Sequence, residues 1–174
     1  MLEGWHEFYG LLGTAAAALV ALLFVAASIG ASVLTPERAG ATRTFLSPVV
    51  FHYTNILFLS LIALIPTQTY ESFGLTIGVA AAASVAYSIV ILVRVWRDSL
   101  ADLADRFAYG AVPVAAYTAG LVASGLLLAH SAASLYVLAG ASLLLLVVNI
   151  RNAWDLMLAL ARRATEQRPK ADHE

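Results

Sequence analysis

Asn149-Ile150-Arg151-Asn152-Ala153-Trp154-Asp155 follows the apolar run 143–148 without a helix breaker and leads straight into the apolar residues 156–160. At about 100° per residue, Asn149, Arg151, Asn152 and Asp155 fall around one side of a helix. Two amides and two opposite charges in or beside hydrocarbon need partners, because lipid offers none. The remaining helices are therefore expected to set protein, not acyl chains, against this surface.

Composition supports a membrane setting for that helix. Of 174 residues, 61% are hydrophobic and only 12% charged, and mean hydropathy is +0.83. A soluble domain carries about 25% charged residues. The apolar residues here come in blocks of bilayer length rather than in amphipathic stripes. The net charge of −1 argues against a polyanionic partner, so no nucleic acid is expected. Cysteine is absent, which removes disulfides, thiolate metal sites, iron–sulfur clusters and covalently attached haem. The sequence has no glycine-rich loop following a strand, no HExxH and no GxSxG, so neither a cofactor nor an enzymatic activity is expected.

These blocks predict an all-α integral membrane protein with five transmembrane helices at about 8–33, 45–65, 73–96, 112–129 and 135–160. They form one domain over 1–162, followed by a polar tail at 163–174. The first block is a retained span and not a cleaved signal, because Glu3 and Glu7 stand where a signal carries basic residues. Pro48 either kinks the second helix or marks its start. Residues 98–107 read as an interfacial turn or a continuation of the third helix, and 130–134 as a tight hairpin.

Basic residues set the expected orientation. Arg38, Arg43, Arg94, Arg97, Arg106, Arg162, Arg163, Arg168 and Lys170 fall on alternate sides from the N-terminus, the 67–72 segment and the 130–134 hairpin, which have none. The N-terminus is thus expected outside and the C-terminus in the cytoplasm. Aromatics mark both boundaries, with Trp5, Tyr9, Tyr70, Phe73 and Tyr136 outside and Phe45, Trp96, Phe107, Tyr109 and Trp154 inside. Small residues recur every fourth position at Gly74, Gly78, Ala82 and Ala86, and again at Ala116, Gly120 and Ser124. Such spacing lets helix backbones touch, within one chain or between copies of a homo-oligomer.

Polar residues inside the spans carry the functional expectation. His52 and Asn55 share a face of the second helix, and Ser84, Tyr87, Ser88 and Arg94 run roughly along one stripe of the third. Counting about 1.5 Å per residue from the helix ends puts His52 and Asn149 at similar depth. A polar layer of His52, Asn55, Asn149, Arg151, Asn152 and Asp155 is expected in the cytoplasmic third. It serves either as interhelical glue or as the lining of a path. Arg151 N-terminal to Asp155 is the weaker orientation of such a pair, so either side chain is expected to be free to reach another helix. A second cluster, His6, Glu7, Glu71 and His130, lies on the outer side and has donor types that suit a divalent metal or a proton sensor.

The segment Trp5-His6-Glu7-Phe8-Tyr9-Gly10-Leu11-Leu12-Gly13-Thr14-Ala15-Ala16-Ala17, together with residues 149–155, resembles a group of small multi-spanning bacterial membrane proteins. The resemblance implies an inner-membrane location and transfers no site residue. Two functions fit the polar pattern. One is an oligomeric channel or pore for a small ion or solute, narrowed at the His52/Asn149 layer. The other is a non-transporting scaffold or modulator of another membrane complex. A water-filled central cavity would favour the first and a dry, sealed bundle the second.

Overall fold

A computed structural model describes residues 2–31, 39–97 and 103–167, with side chains described over 2–28, 47–97 and 103–158. The basic residues at 38, 43, 162, 163, 168 and 170, and Phe45, lie outside the described side chains. Among the described residues the chain is helical apart from short turns: α1 His6–Ala31, α2 Ala39–Ala63, α3 Tyr70–Arg97, α4 Leu103–Asp105, a π-helical turn Arg106–Ala111, α5 Val112–Leu128 and α6 Ala133–Gln167. Among the described residues, four helices are long and apolar enough to cross a membrane: Glu3–Ser28, Tyr70–Arg97, Leu103–Leu128 and Ala133–Leu158. The second expected span falls within α2, whose described side chains give the apolar stretch Ser47–Ala63. Pro48 sits inside α2, which runs through it, and α6 extends into the expected tail as far as Gln167.

Local chemistry sets the helix ends. At the start of α3, the Ser72 N–H donates to Thr69 Oγ1 at 3.1 Å and the Thr69 N–H donates to Ser72 Oγ at 3.0 Å, a reciprocal N-terminal box. At the end of α5, the His130 N–H donates to the Leu127 carbonyl and the Ser131 N–H to the Leu126 carbonyl, both at 2.9 Å. This is the Schellman pattern, which needs a left-handed residue just past the helix. His130 takes that position with φ 53°. Its ring lies edge-on to Tyr70 and its Nε2 is 3.1 Å from Glu71, so the α5–α6 hairpin is fastened to the start of α3.

Helices α2, α3, α5 and α6 form a four-sided bundle. The main contacts run α3 to α5, α5 to α6 and α6 to α2, and α2 meets α3 only lightly. Helix α1 lies outside this square against α2 and only brushes α6. The closest approach is α3 on α5. Ser124 Oγ donates to the Gly74 carbonyl at 2.7 Å, and a Cβ added at Gly78 would meet Ser124 Oγ at 2.6 Å. Ala116, Gly120 and Ser124 are all buried at this contact, as their spacing predicted. On α3 the four-member run is only half used: Gly74 and Gly78 face α5, while Ala82 and Ala86 are exposed. Four residues turn a helix by about 400°, so a strict four-residue repeat drifts by about 40° per step. By Ala86 the row has left the interface, and Ala81, Ser84 and Ser88 have taken its place.

Three of the expected boundary aromatics are core residues instead. Tyr9 and Phe73 are fully buried, as is most of Tyr109, whereas Trp96, Phe107, Tyr136 and Trp154 are exposed. An aromatic near a helix end serves packing when the neighbouring helix overlaps it, and boundary position alone does not reveal that overlap.

Gly78→Val must displace the Ser124 hydroxyl and with it the bond to Gly74. Overpacking of this kind costs about 1–3 kcal/mol. Gly140→Ala enters open space and should gain up to about 1 kcal/mol from helix propensity. Thermal melts in one detergent should show a lowered midpoint for the first variant and an unchanged or raised one for the second.

Candidate functional site

The polar residues singled out in the sequence point inward. His52, Asn149 and Asn152 are at most 2% exposed, Ser84 and Ser88 are buried, and Asn55 and Tyr87 are half-buried. His52, Tyr117, Ser84 and Asn55 are linked to one another, whereas Asn149 and Asn152 lie apart from that group.

The tie at Asn152 grows out of the backbone. In the π-helical turn the Val112 N–H bonds the Phe107 carbonyl, five residues back. The Ala108 carbonyl therefore loses Val112, its ordinary helical donor. The next residue is Pro113, which has no N–H to offer. Asn152 supplies the missing donor, with Nδ2 3.1 Å from the Ala108 oxygen. In return the Tyr109 hydroxyl donates to the Asn152 carbonyl at 2.9 Å. The opening stretch of the sequence thus completes a break in a neighbouring helix.

Two further ties lie deeper in the bundle. His52 Nδ1 is 2.8 Å from the Tyr117 hydroxyl, joining α2 to α5. Ser84 Oγ donates to Asn55 Oδ1 at 3.1 Å, joining α3 to α2, and also to its own Ala80 carbonyl at 2.7 Å. The Phe51 and Tyr87 rings stack over the same α2–α3 seam with centroids 4.1 Å apart. Asn55, Ser84, Tyr117 and Ser142 contribute to the walls of an otherwise apolar cavity of about 50 Å³. That is room for water but not a path across the bundle.

The remaining expected members behave differently. Asn149 Nδ2 donates to the Leu145 carbonyl of its own helix at 2.8 Å, so it does not reach across to His52. Its Oδ1, the Oδ1 of Asn152 and the hydroxyls of Ser60 and Ser88 are buried and make no hydrogen bond among the described residues. Arg151 lies 3.3 Å from Asp155 and 4.0 Å from Asp105 of α4, so it does reach a second element. All three of these side chains are roughly 40% exposed and belong to the bundle rim. Arg94 is exposed and leaves the stripe formed by Ser84 and Ser88.

The outer cluster is not assembled. Glu71 and His130 pair, but His6 and Glu7 sit on α1, at the far side of α2, because α1 packs on α2 and α6. Among the described residues, no group of three or more His, Cys, Asp or Glu side chains is placed to hold a metal. The groups that sequence reasoning passed over are Tyr117 and the Ala108 carbonyl. Tyr117 had a signal, a hydroxyl within an apolar span four residues after a proline. The chain matches no family model, no curated protein and no solved structure.

Asn152→Leu leaves the Ala108 carbonyl without a donor and should cost about 1–3 kcal/mol. Adding Pro113→Ala restores a backbone N–H and should recover part of that loss, whereas Pro113→Ala alone should not produce a gain of that size. A double-mutant cycle of His52→Ala and Tyr117→Phe should return a coupling of about 0.6–1.7 kcal/mol. Additive single effects would mean that His52 and Tyr117 do not bond.

Proposed function

We propose that this chain is a membrane-embedded helical scaffold, a non-transporting modulator of another membrane complex. One observation carries the reading: several of the polar side chains within the apolar helices join one element to another. His52 holds Tyr117, Asn55 holds Ser84, Asn152 completes the π-helical turn, and Arg151 is shared by Asp155 and Asp105. In lipid such bonds are a main source of helix cohesion. Helix α2 counts as the fifth span on this proposal, since its 25 residues reach about 37 Å, enough for a hydrocarbon core about 30 Å thick. The alternation of basic residues supports an outer N-terminus and a cytoplasmic C-terminus. The likeness to small multi-spanning bacterial membrane proteins supports the inner membrane. The exposed Ala82, Ala83 and Ala86 of α3 offer a small-residue face for self-association.

A second reading, an oligomeric conduit for a small ion or solute, is favoured by a different observation. Asn149 Oδ1, Asn152 Oδ1 and Ser88 Oγ are inward acceptors with no protein donor among the described residues, and water would satisfy them. Reconstitution into liposomes and planar bilayers separates the two. The scaffold reading expects neither current nor flux across a range of ions, voltages and pH. A sustained flux that His52→Ala or Asn149→Leu alters would overturn it in favour of the conduit.

A further inference from the structure

Because α1 packs on α2 and only brushes α6, the two helices diverge and leave a groove of about 470 Å³. One wall is α1 from Leu19 to Ala26, the other α6 from Val147 to Met157, with Tyr53 of α2 between them. The lining is almost wholly apolar, with Arg151 as its one charged member and the exposed Trp154 beside it.

Three features identify what fits. The walls run for about 10 Å on α1 and about 15 Å on α6, the depth of one leaflet of a hydrocarbon core about 30 Å thick. A docked helix would find walls of only about two to three turns, at about 5.4 Å per turn. A lone hydrocarbon chain is far thinner and can follow the groove for its whole length. Finally, the rim alternates in charge. Arg151 stands between the carboxylates of Asp155 at 3.3 Å and Asp105 at 4.0 Å. The trio offers one guanidinium to a phosphate and two carboxylates to an ammonium, which suits a headgroup carrying both charges. Exposed tryptophan is also the side chain favoured at headgroup level.

We propose that the α1–α6 groove holds one acyl chain of a glycerophospholipid whose headgroup carries a primary amine, with its phosphate on Arg151 and its ammonium on Asp155 and Asp105. The site lies outside the helix ties that carry the scaffold reading and stands or falls separately from it.

The full-length protein, extracted into mild detergent from nanodiscs of equal phosphatidylethanolamine and phosphatidylglycerol, would be weighed by native mass spectrometry. Wild type should retain one phosphatidylethanolamine per chain, preferred over phosphatidylglycerol by about fivefold, as suits a partly exposed charge match. Leu22→Trp and Val147→Trp, on opposite exposed walls, should each reduce the retained lipid severalfold with an unchanged helical spectrum. Arg151→Gln and Asp155→Asn should level the headgroup preference while leaving a chain bound. Equal retention of both lipids by wild type would overturn the proposal. So would lipid retention that neither tryptophan variant reduces, or a dimer that both variants dissolve, since a second copy would then be the occupant.

Discussion

The bond from Asn152 to the Ala108 carbonyl answers a defect that Pro113 creates. Proline removes one backbone donor, the chain widens into a π-helical turn around the loss, and one carbonyl is left that its own helix cannot serve. In water the defect would cost little. Within an apolar bundle an unserved carbonyl costs about 1–3 kcal/mol, so α6 has to present an amide at that level and at that rotation. This requirement sets the axial offset between α5 and α6, and the Tyr109 hydroxyl bonded to the Asn152 carbonyl locks it from the other side.

Once that offset is set, the other contacts are constrained by close packing. The α5 face carrying Ala116, Gly120 and Ser124 meets α3 at Gly74, Gly78 and Ala81, where backbones approach because side chains are small. The same end of α3 is pinned at the hairpin by His130, held in a left-handed conformation while it contacts Tyr70 and Glu71. A non-glycine residue there carries a backbone cost, and the ring and ion-pair contacts offset it. Helix α2 then joins through His52 and Asn55, one bond to α5 and one to α3. The bonded polar groups thus tie several seams rather than one. Among the described residues α1 makes no hydrogen bond or ion pair to α6, and an apolar groove opens along that side.

Much of the arrangement is legible in the amino-acid order. Composition and block length specify apolar helices, and the helical period puts Asn149 and Asn152 on a protein-facing side, where both are buried. The spacing of Ala116, Gly120 and Ser124 identifies an interface correctly because the row is short. The longer row on α3 outruns its interface by angular drift, so Ala82 and Ala86 end up exposed. The outer His/Glu group is misleading for a related reason. Sharing one side of a membrane says nothing about lateral neighbours, and α1 stands at the wrong edge to bring His6 and Glu7 to Glu71.

By itself, then, the sequence determines that the chain folds into apolar helices of membrane length, and that a lone imidazole and several amides within them must find protein. Those properties depend on residue type and on a period of a few residues, both local along the chain. Only the tertiary structure decides that the imidazole meets Tyr117 and not Asn149, that Asn152 serves a carbonyl stranded by Pro113, and that Arg151 is shared with Asp105. Each of these depends on which helices are neighbours, how far one slides along the next and how each is rotated about its axis, and these are properties of the packed bundle as a whole.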